Sequence, residues 1–346
     1  MNKKFQKFIS KKSKPFIIAE ISANHGGSFI KAKRMIDAAK KAGASAVKIQ
    51  TYEADSMTIK SNAKDFKIHH GIWKGQYLYD LYDSAKTPFG WHKSLFKYAK
   101  EKKILIFSTP FDYKGVDLLD SLNVPFFKIA SFEITDTPLI EYIASKRRPI
   151  LLSTGMSNES EIGDALEIIK SKGIKDILLF HCISSYPSKI EEYNLNMIKT
   201  LEKKFNTLVG LSDHTLGIEA SIAAVALGAV AIEKHFKLNK NDKCPDALFS
   251  SDPSEIKSLV IGTNNIWKGM GLGNYNRAPE EKKNISFRRS LYFVKELEKG
   301  SIIKKGDIRS IRPGYGLEPK YLERVITMKT KKKVFAGDRV SWKNII

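Results

Sequence analysis

Polar and ionisable residues end almost every apolar run in the first part of the chain. Two of these residues are histidines, His214 and His235, which end consecutive runs. Adjacent strands lie about 4.8 Å apart, so imidazoles at the ends of two such strands can bind one divalent ion and leave positions for water and substrate. A single histidine at a strand end more often serves packing, and it is the pair that predicts a shared metal site.

Three lysines, Lys48, Lys128 and Lys234, stand near the ends of runs and are expected to converge on the same site. Ammonium groups beside serine and threonine hydroxyls bind phosphate and carboxylate groups. A Schiff-base lysine, as in class I aldolases, is the alternative, and the many hydroxyls favour anion binding. Glu20 and Glu133 are candidates either for a general acid or base or for salt-bridge partners of the lysines, and the residues alone do not separate these roles.

The elements that must position these residues are eight short runs rich in apolar and β-branched residues, separated by segments with helical spacing. Strands that are apolar almost throughout indicate a parallel sheet buried on both faces, and eight of them predict a closed (β/α)8 barrel. The active site of such a barrel forms at the C-terminal ends of the strands. The runs cover residues 16–22, 46–52, 104–111, 126–131, 149–155, 176–182, 209–215 and 229–236.

Local signals predict two helix ends and one unusual loop. The segment Phe29–Ala42 is apolar at helical spacing and stops at Gly43. Asp252, followed by proline and then glutamate, predicts the start of the helix after the eighth run. Residues 53–88 depart from the alternation of strand and helix, and their aromatic content argues for an ordered, functional loop.

Composition divides the chain into four expected parts. Residues 1–14, with six lysines and no acidic residue, form a basic N-terminal tail that is typical of a solvated charged surface. Residues 15–270 form the barrel, and residues 271–285 form a linker. Residues 286–346 contain short strand-like pieces and predict a small β-rich domain. The last part is strongly basic, so it is either a solvated face or a cationic lid over an anionic substrate.

Composition also excludes several classes of protein. With 346 residues, 42% hydrophobic and 28% charged, the chain is neither disordered nor collagen-like. The net charge of +22 raises nucleic acid as a partner, but the chain has no basic motif interleaved with aromatic residues, so no nucleic-acid binding is expected. No apolar run reaches about 18 residues, and the N terminus lacks the apolar core of an export signal. We therefore expect no membrane association and a cytoplasmic location. The two cysteines, Cys182 and Cys244, are too few for a disulfide framework, which agrees with a reducing compartment.

Several segments match, in order, the motifs of one known family: FIIAEISANHGG (16–27), AVKIQTY (46–52), FFKIASFEIT (126–135), LLSTGMS (151–157), VGLSDHTLG (209–217), AIEKHF (231–236) and IRPGYGL (311–317). Over nearly its whole length the chain resembles the sialic acid synthase family of bacterial nonulosonic acid synthases. The C-terminal part is similar to type III antifreeze proteins, which implies an antifreeze-like SAF domain of β-clip fold. Residues 78–88, 131–140 and 310–323 look most like the pseudaminic acid synthase branch of the family.

The resemblance implies a transferase that condenses phosphoenolpyruvate with the open-chain form of 2,4-diacetamido-2,4,6-trideoxy-β-L-altropyranose and water. The products are pseudaminic acid and phosphate, released by C–O cleavage. The same chemistry on another hexosamine, giving N-acetylneuraminate or legionaminate, is the alternative. A non-catalytic ice- or glycan-binding protein belongs to a different class, and the intact set of catalytic residues argues against it.

By position in the motifs, the resemblance implies that Glu20, His214 and His235 are catalytic and that the two histidines bind Mn²⁺ or Mg²⁺, or alternatively Co²⁺. It further implies a domain-swapped homodimer in which the C-terminal domain is a lid. The residues implied for phosphoenolpyruvate are Lys48, Thr109, Lys128, Ser131, Ser153, Ser184 and Ser212. Those implied for the sugar are Gln50, Glu133, Tyr186, Asp246 and Arg312.

Overall fold

Eight short strands in the first part of the chain pair in parallel and close into a (β/α)8 barrel, which confirms the predicted fold class. The computed structural model describes residues 3–346. The strands are β1 (Phe16–Glu20), β2 (Ala46–Thr51), β3 (Leu105–Pro110), β4 (Phe127–Ile129), β5 (Ile150–Ser153), β6 (Ile177–Cys182), β7 (Leu208–Asp213) and β8 (Ala231–His235). They follow the order β3-β2-β1-β8-β7-β6-β5-β4, and β3 and β4 lie side by side.

Side chains alternate along each strand between the barrel interior and the surrounding layer of helices. The lower part of the interior is apolar and contains Ile18, Ala46 and Phe107. Two residues further along the first two strands, the interior side chains are Glu20 and Lys48. The same face of the sheet therefore provides an apolar core below and a polar floor at the C-terminal end.

Helices follow the strands and, apart from the first, lie on the outside of the barrel or in its loops. They are α1 (Lys3–Phe8), α2 (Phe29–Ala42), α3 (Ala54–Met57), α4 (Leu78–Ala85), α5 (Phe89–Glu101), α6 (Tyr113–Ser121), α7 (Thr137–Ser145), α8 (Glu159–Ser171), α9 (Met197–Phe205), α10 (Glu219–Ala226) and α11 (Pro253–Gly269). Both predicted helix ends are confirmed. Gly43 follows α2 with a φ of 94°, and Asp252 forms a capping box with Glu255 at the start of α11.

The first helix closes the N-terminal end of the barrel. Phe5 and Ile9 are buried and belong to the same apolar cluster as Phe16 and Phe126 inside the barrel. Burying an aromatic or branched aliphatic side chain stabilises a fold by about 2 kcal/mol. The expectation that residues 1–14 are a solvated tail is therefore wrong for this helix. The many lysines dominate the composition of this segment, but the apolar residues between them are spaced to form one buried helix face.

The segment between β2 and α5, expected to be an ordered loop, is ordered. It contains α3, α4 and an antiparallel bridge between Lys67 and Tyr77. Trp73 projects from its tip, and the indole Nε1 donates a hydrogen bond to the carbonyl oxygen of Pro245 at 3.1 Å. The segment thus reaches the loop that follows β8.

The remaining residues form a second compact unit, Leu272–Ile346. It contains helices α12 (Pro279–Lys283) and α13 (Leu322–Val325) and an antiparallel pair of strands, β9 (Ser290–Phe293) and β10 (Ile308–Ile311). Its own core includes Leu291, Phe293 and Val334. In neither unit does the described part of the chain have a helix with the length and apolarity needed to cross a membrane.

Candidate active site

Four buried charged side chains meet at the C-terminal end of the barrel interior. Glu20 on β1 and Lys48 on β2 are register partners, and their Oε2 and Nζ atoms lie 2.7 Å apart. Glu233 on β8 has its Oε1 3.4 Å from Lys48 Nζ and its Oε2 3.5 Å from Lys128 Nζ. Because each charge has a partner, the cluster is electrically balanced although it is buried.

The pKa values of the two carboxyl groups in this cluster are shifted in opposite directions. Burial raises the pKa of Glu20, and Glu233 adds to the rise although Lys48 opposes it. At Glu233 burial acts in the same direction, but attraction to Lys128 and Lys48 outweighs it and lowers the pKa. When two neighbouring carboxyl groups have well-separated pKa values, one of them can act as an acid while the other stays an anion. Glu20 is therefore suited to carry a proton while Glu233 stays ionised.

Hydroxyl groups surround the two lysines. Lys128 Nζ donates to Ser153 Oγ at 2.7 Å, and Lys48 Nζ donates to Thr109 Oγ1 at 3.3 Å. Burial lowers the pKa of Lys128, whereas at Lys48 the attraction of its carboxylate partners outweighs burial and raises the pKa. Cations and hydroxyls in this arrangement can bind a phosphate or a carboxylate.

Further hydroxyls gather around a glycine after β5. Ser131 Oγ accepts a hydrogen bond from the Gly155 N–H at 3.1 Å, and a Cβ atom at position 155 would clash with Ser184 Oγ. The Ser184 hydroxyl is buried and has no hydrogen-bond partner among residues 3–346. On the other side of the interior, Ser212 Oγ lies 3.4 Å from Glu233 Oε1. An unpaired buried hydroxyl in this place indicates room for a polar ligand.

His214 and His235 face each other at the rim of the cluster, with their ring centroids 5.5 Å apart. His214 Nδ1 lies 2.8 Å from the Ile183 carbonyl oxygen, and in the tautomer that donates this bond Nε2 keeps a free lone pair. His235 Nδ1 is buried, lies 3.7 Å from Asp246 Oδ2, and has no hydrogen-bond partner within the described chain. Both imidazoles therefore offer a nitrogen that the protein leaves uncommitted.

These two nitrogens fit a divalent ion. Burial lowers the pKa of His235 well below its ordinary value, which favours the neutral, ligating form, whereas at His214 attraction to Cys182 outweighs burial and raises the pKa. No group of three or more His, Cys, Asp or Glu side chains in the described residues has a metal-binding arrangement. The two histidines suit an ion that has two protein ligands and whose other coordination positions are open to water and substrate.

Aromatic and acidic side chains line the rest of the rim. The Tyr186 ring packs 4.4 Å from the His214 ring and 5.8 Å from the Trp73 ring, measured between centroids. Glu133 is mostly buried, and burial raises its pKa to about 7. Burial also raises the pKa of Asp246, whose Oδ2 accepts a hydrogen bond from a backbone N–H. The rim thus combines apolar surface with a few polar groups, as small-molecule sites do.

Most of the residues that the sequence analysis singled out lie at this end of the barrel. Arg312 lies in the second unit and is exposed to solvent. The predicted residues found at the ends of the barrel strands or in the loops that follow them are Glu20, Lys48, Gln50, Thr109, Lys128, Ser131, Glu133, Ser153, Ser184, Tyr186, Ser212, His214, His235 and Asp246.

The expectation that Lys234 joins the other lysines is wrong. Lys234 Nζ lies 2.9 Å from Asp213 Oδ2, in the layer between the barrel and α10. Strand side chains alternate, so His235 and Lys234 cannot both face the interior. The interior residue is instead Glu233, which sequence reasoning missed and which its spacing of two from His235 could have revealed.

Comparison with known proteins identifies the family of the chain. The model of the NeuB family matches residues 35–275, and the model of the SAF domain matches residues 288–346. A pseudaminic acid synthase of Campylobacter jejuni is 43% identical over 325 residues, which cover 94% of this chain and 95% of that protein. A pseudaminic acid synthase of Helicobacter pylori is 40% identical over 328 residues, which cover 94% of this chain and 96% of that protein.

A solved structure shows the same architecture. The N-acetylneuraminic acid (sialic acid) synthetase of Leptospira borgpetersenii, crystallised with citrate, superposes with a TM-score of 0.72 at 35% identity. The match covers 80% of this chain and 92% of that one. Because the family model covers most of the barrel and the relatives cover nearly the whole chain, the protein belongs to the NeuB family.

Proposed function

We propose that the protein catalyses the pseudaminic acid synthase reaction, the condensation of phosphoenolpyruvate with open-chain 2,4-diacetamido-2,4,6-trideoxy-β-L-altropyranose and water. The products are pseudaminic acid and phosphate. Two relatives of that name are 43% and 40% identical and each cover 94% of the chain. The observation that carries the proposal is the pair of buried lysines, Lys48 and Lys128, set among hydroxyls beside two histidines.

Phosphoenolpyruvate presents a phosphate and a carboxylate, and two buried ammonium groups suit both. Attraction between charges is stronger in a site from which water is excluded. The carboxylates of Glu20 and Glu233 keep the lysines paired until the donor binds. The hydroxyls that would complete the donor site belong to Thr109, Ser131, Ser153, Ser184 and Ser212.

In the proposed reaction, carbon 3 of the enol attacks the aldehyde carbon of the sugar, and Glu20 gives its proton to the aldehyde oxygen as the new bond forms. Carbon 2 becomes oxocarbenium-like and is captured by water. Glu20, now ionised, takes the proton that this water loses. The tetrahedral intermediate then collapses to the ketone: the bond from carbon 2 to the phosphate oxygen breaks, and the departing phosphate takes the proton of the hydroxyl group on carbon 2. The raised pKa of Glu20 suits a group that acts first as acid and then as base.

The proposal includes a divalent ion, Mn²⁺ or Mg²⁺ and alternatively Co²⁺, held by His214 and His235. When bound, it would polarise the sugar aldehyde as a Lewis acid. The uncommitted His235 Nδ1 and the Ile183 carbonyl that orients His214 support this assignment.

Groups at the rim would bind the sugar. Tyr186 offers an aromatic face, and Gln50, Glu133 and Asp246 offer hydrogen bonds to hydroxyl and acetamido groups. A protonated Glu133 can donate a hydrogen bond as well as accept one, and its pKa of about 7 makes that form available near neutral pH.

We also propose a homodimer in which the C-terminal unit of one copy covers the barrel mouth of the other and brings Arg312 to the sugar. Four large apolar side chains in loops after the strands support a covered mouth, because each is more than half exposed: Phe132, Met156, Leu216 and Leu248. Exposed apolar groups clustered around one opening are typical of an interaction surface.

The test measures phosphate release with Mn²⁺, phosphoenolpyruvate and each of three sugars: the diacetamido-altrose, the legionaminic acid precursor and N-acetylmannosamine. We expect turnover with the first. Turnover confined to either of the others would overturn the choice of sugar. Lys128→Met should abolish release, while Lys172→Met, at an outer lysine paired with Glu141, should leave it intact.

Two chemical probes separate the proposed mechanism from its alternative. The bridging oxygen of phosphoenolpyruvate, when isotopically labelled, should leave with the phosphate. Borohydride added with substrate should leave the mass of the protein unchanged, whereas a covalent adduct on Lys48 or Lys128 would indicate a Schiff-base aldolase.

A further inference from the structure

The backbone around His214 is held from outside the barrel by a buried tyrosine. The hydroxyl of Tyr193 donates to the Ser212 carbonyl oxygen at 2.9 Å and accepts a hydrogen bond from the His214 N–H at 2.7 Å. Tyr193 lies just before α9 and is fully buried. One hydroxyl therefore bridges the two backbone groups on either side of residue 213, where β7 ends.

A buried ion pair fixes the next residues of the same segment. Lys234 Nζ lies 2.9 Å from Asp213 Oδ2 and donates to the Thr215 carbonyl oxygen at 2.8 Å. The other oxygen of Asp213 accepts from the Thr215 N–H at 2.9 Å and from its hydroxyl at 2.7 Å. Ser221 on α10 also donates to Asp213. Together these bonds tie residues 213 and 215 to β8 and to the helix layer.

Neither Tyr193 nor Lys234 faces the interior, where the proposed substrates bind. The side chains they support do: Ser212 and His214 point inward beside Glu233 and His235. Holding the backbone at residues 212, 213, 214 and 215 sets the direction in which the His214 imidazole leaves it. The position of its ring is then completed by the Ile183 carbonyl oxygen.

We infer that Tyr193 and Lys234 are positioning residues, which preorganise His214 as a metal ligand and Ser212 as a donor-site hydroxyl by fixing the backbone that carries both. The inference rests on the proposed function for the roles of those two side chains. Supporting groups of this kind change metal affinity by about 10- to 100-fold when they are removed.

The test uses Tyr193→Phe, which removes one oxygen and keeps the buried ring. Tyr142→Phe is the matched control, since its hydroxyl bonds to Asp117 at the surface, 2.8 Å away. Three quantities are measured on purified protein: amide hydrogen exchange at residues 212–215, Mn²⁺ affinity by calorimetry, and kcat and KM for phosphate release.

We expect Tyr193→Phe to exchange the His214 amide at least about 10-fold faster, to bind Mn²⁺ about 10-fold more weakly, and to lower kcat more than KM. Tyr142→Phe should match the wild type. Unchanged exchange, or unchanged Mn²⁺ affinity despite a lower melting temperature, would overturn the inference and leave Tyr193 a packing residue only.

Lys234 is tested with the double variant Asp213→Asn/Lys234→Met, which removes both charges and avoids an uncompensated buried carboxylate. Faster exchange at the Thr215 amide is expected, and wild-type exchange there would contradict the role of the Asp213–Lys234 pair. A wild-type protein that neither binds Mn²⁺ nor releases phosphate would refute the proposed function instead. Exchange at the His214 and Thr215 amides would then decide the positioning role by itself.

Discussion

Replacing Glu133 by glutamine should make the barrel more stable at alkaline pH. Burial raises the pKa of this carboxyl from its ordinary 4.5 to about 7. In the unfolded chain the group ionises near 4.5, so between 4.5 and 7 the folded protein binds more protons than the unfolded one. Stability therefore falls as pH rises through this interval, and the loss is complete above pH 7.

The size of the effect follows from the two pKa values. At about 1.4 kcal/mol per pH unit, an interval from 4.5 to about 7 amounts to about 3.5 kcal/mol. Between pH 5 and pH 8 the wild type should lose about 2.5 kcal/mol of unfolding free energy through this one group. Glutamine resembles the protonated acid and carries no charge, so Glu133→Gln should lose none of it.

Urea unfolding of both proteins at pH 5 and pH 8, followed by circular dichroism of the helices, measures this difference. The control is Glu141→Gln, because Lys172 lowers the pKa of Glu141 and the substitution can gain no stability at pH 8. Equal stability of Glu133→Gln and wild type at pH 8, or the same gain at both pH values, would refute the link between burial and the raised pKa.

Three further predictions concern the proposed site. His235→Ala should weaken Mn²⁺ binding about 100-fold or more because one of two protein ligands is lost, and calorimetry showing wild-type affinity would exclude the histidine pair. Arg312→Ala should lower sugar-dependent phosphate release about 100-fold with the fold retained, and wild-type kinetics would contradict the lid. Binding of phosphoenolpyruvate without sugar should take up a proton, since donor phosphate weakens the hold of Lys48 on Glu20 and lets the pKa of Glu20 rise. Calorimetry in buffers of different ionisation enthalpy measures that uptake, and binding enthalpies that do not depend on the buffer would contradict it.

The sequence predicts the barrel and the end that carries the site because both depend on features that recur along the chain. Each apolar run is long enough for one strand, and polar residues follow it at the same place. Glu20 and Lys48 could be placed in this way, and they are register partners in the structure. That the pair lies at the C-terminal end of the strands follows from the direction of the chain alone.

Two features could not be read from the run ends. Whether Glu233 or Lys234 faces the interior depends on which face of the strand is inside, and a run that is apolar on both faces does not show this. The choice can be made only by starting from His235: if its side chain faces the interior, Glu233, two residues earlier on the same strand, faces the interior too. The position of Trp73 against Tyr186 was not predictable either, because an irregular segment has no period from which its contacts can be derived.

The two faces of β7 and β8 carry separate sets of buried charge, and this arrangement specifies the register of the strands. Glu233 is balanced by lysines inside the barrel, while Lys234 is balanced by Asp213 outside it. A slip of one residue would exchange the faces and put Glu233 against the helices and Lys234 into the interior, each without its partner. An unpaired buried charge costs several kcal/mol, whereas a buried pair contributes little net stability. The main effect of the Asp213–Lys234 pair is therefore to destabilise the shifted register relative to the native one. In this way the pair keeps Glu233 and His235 facing the site.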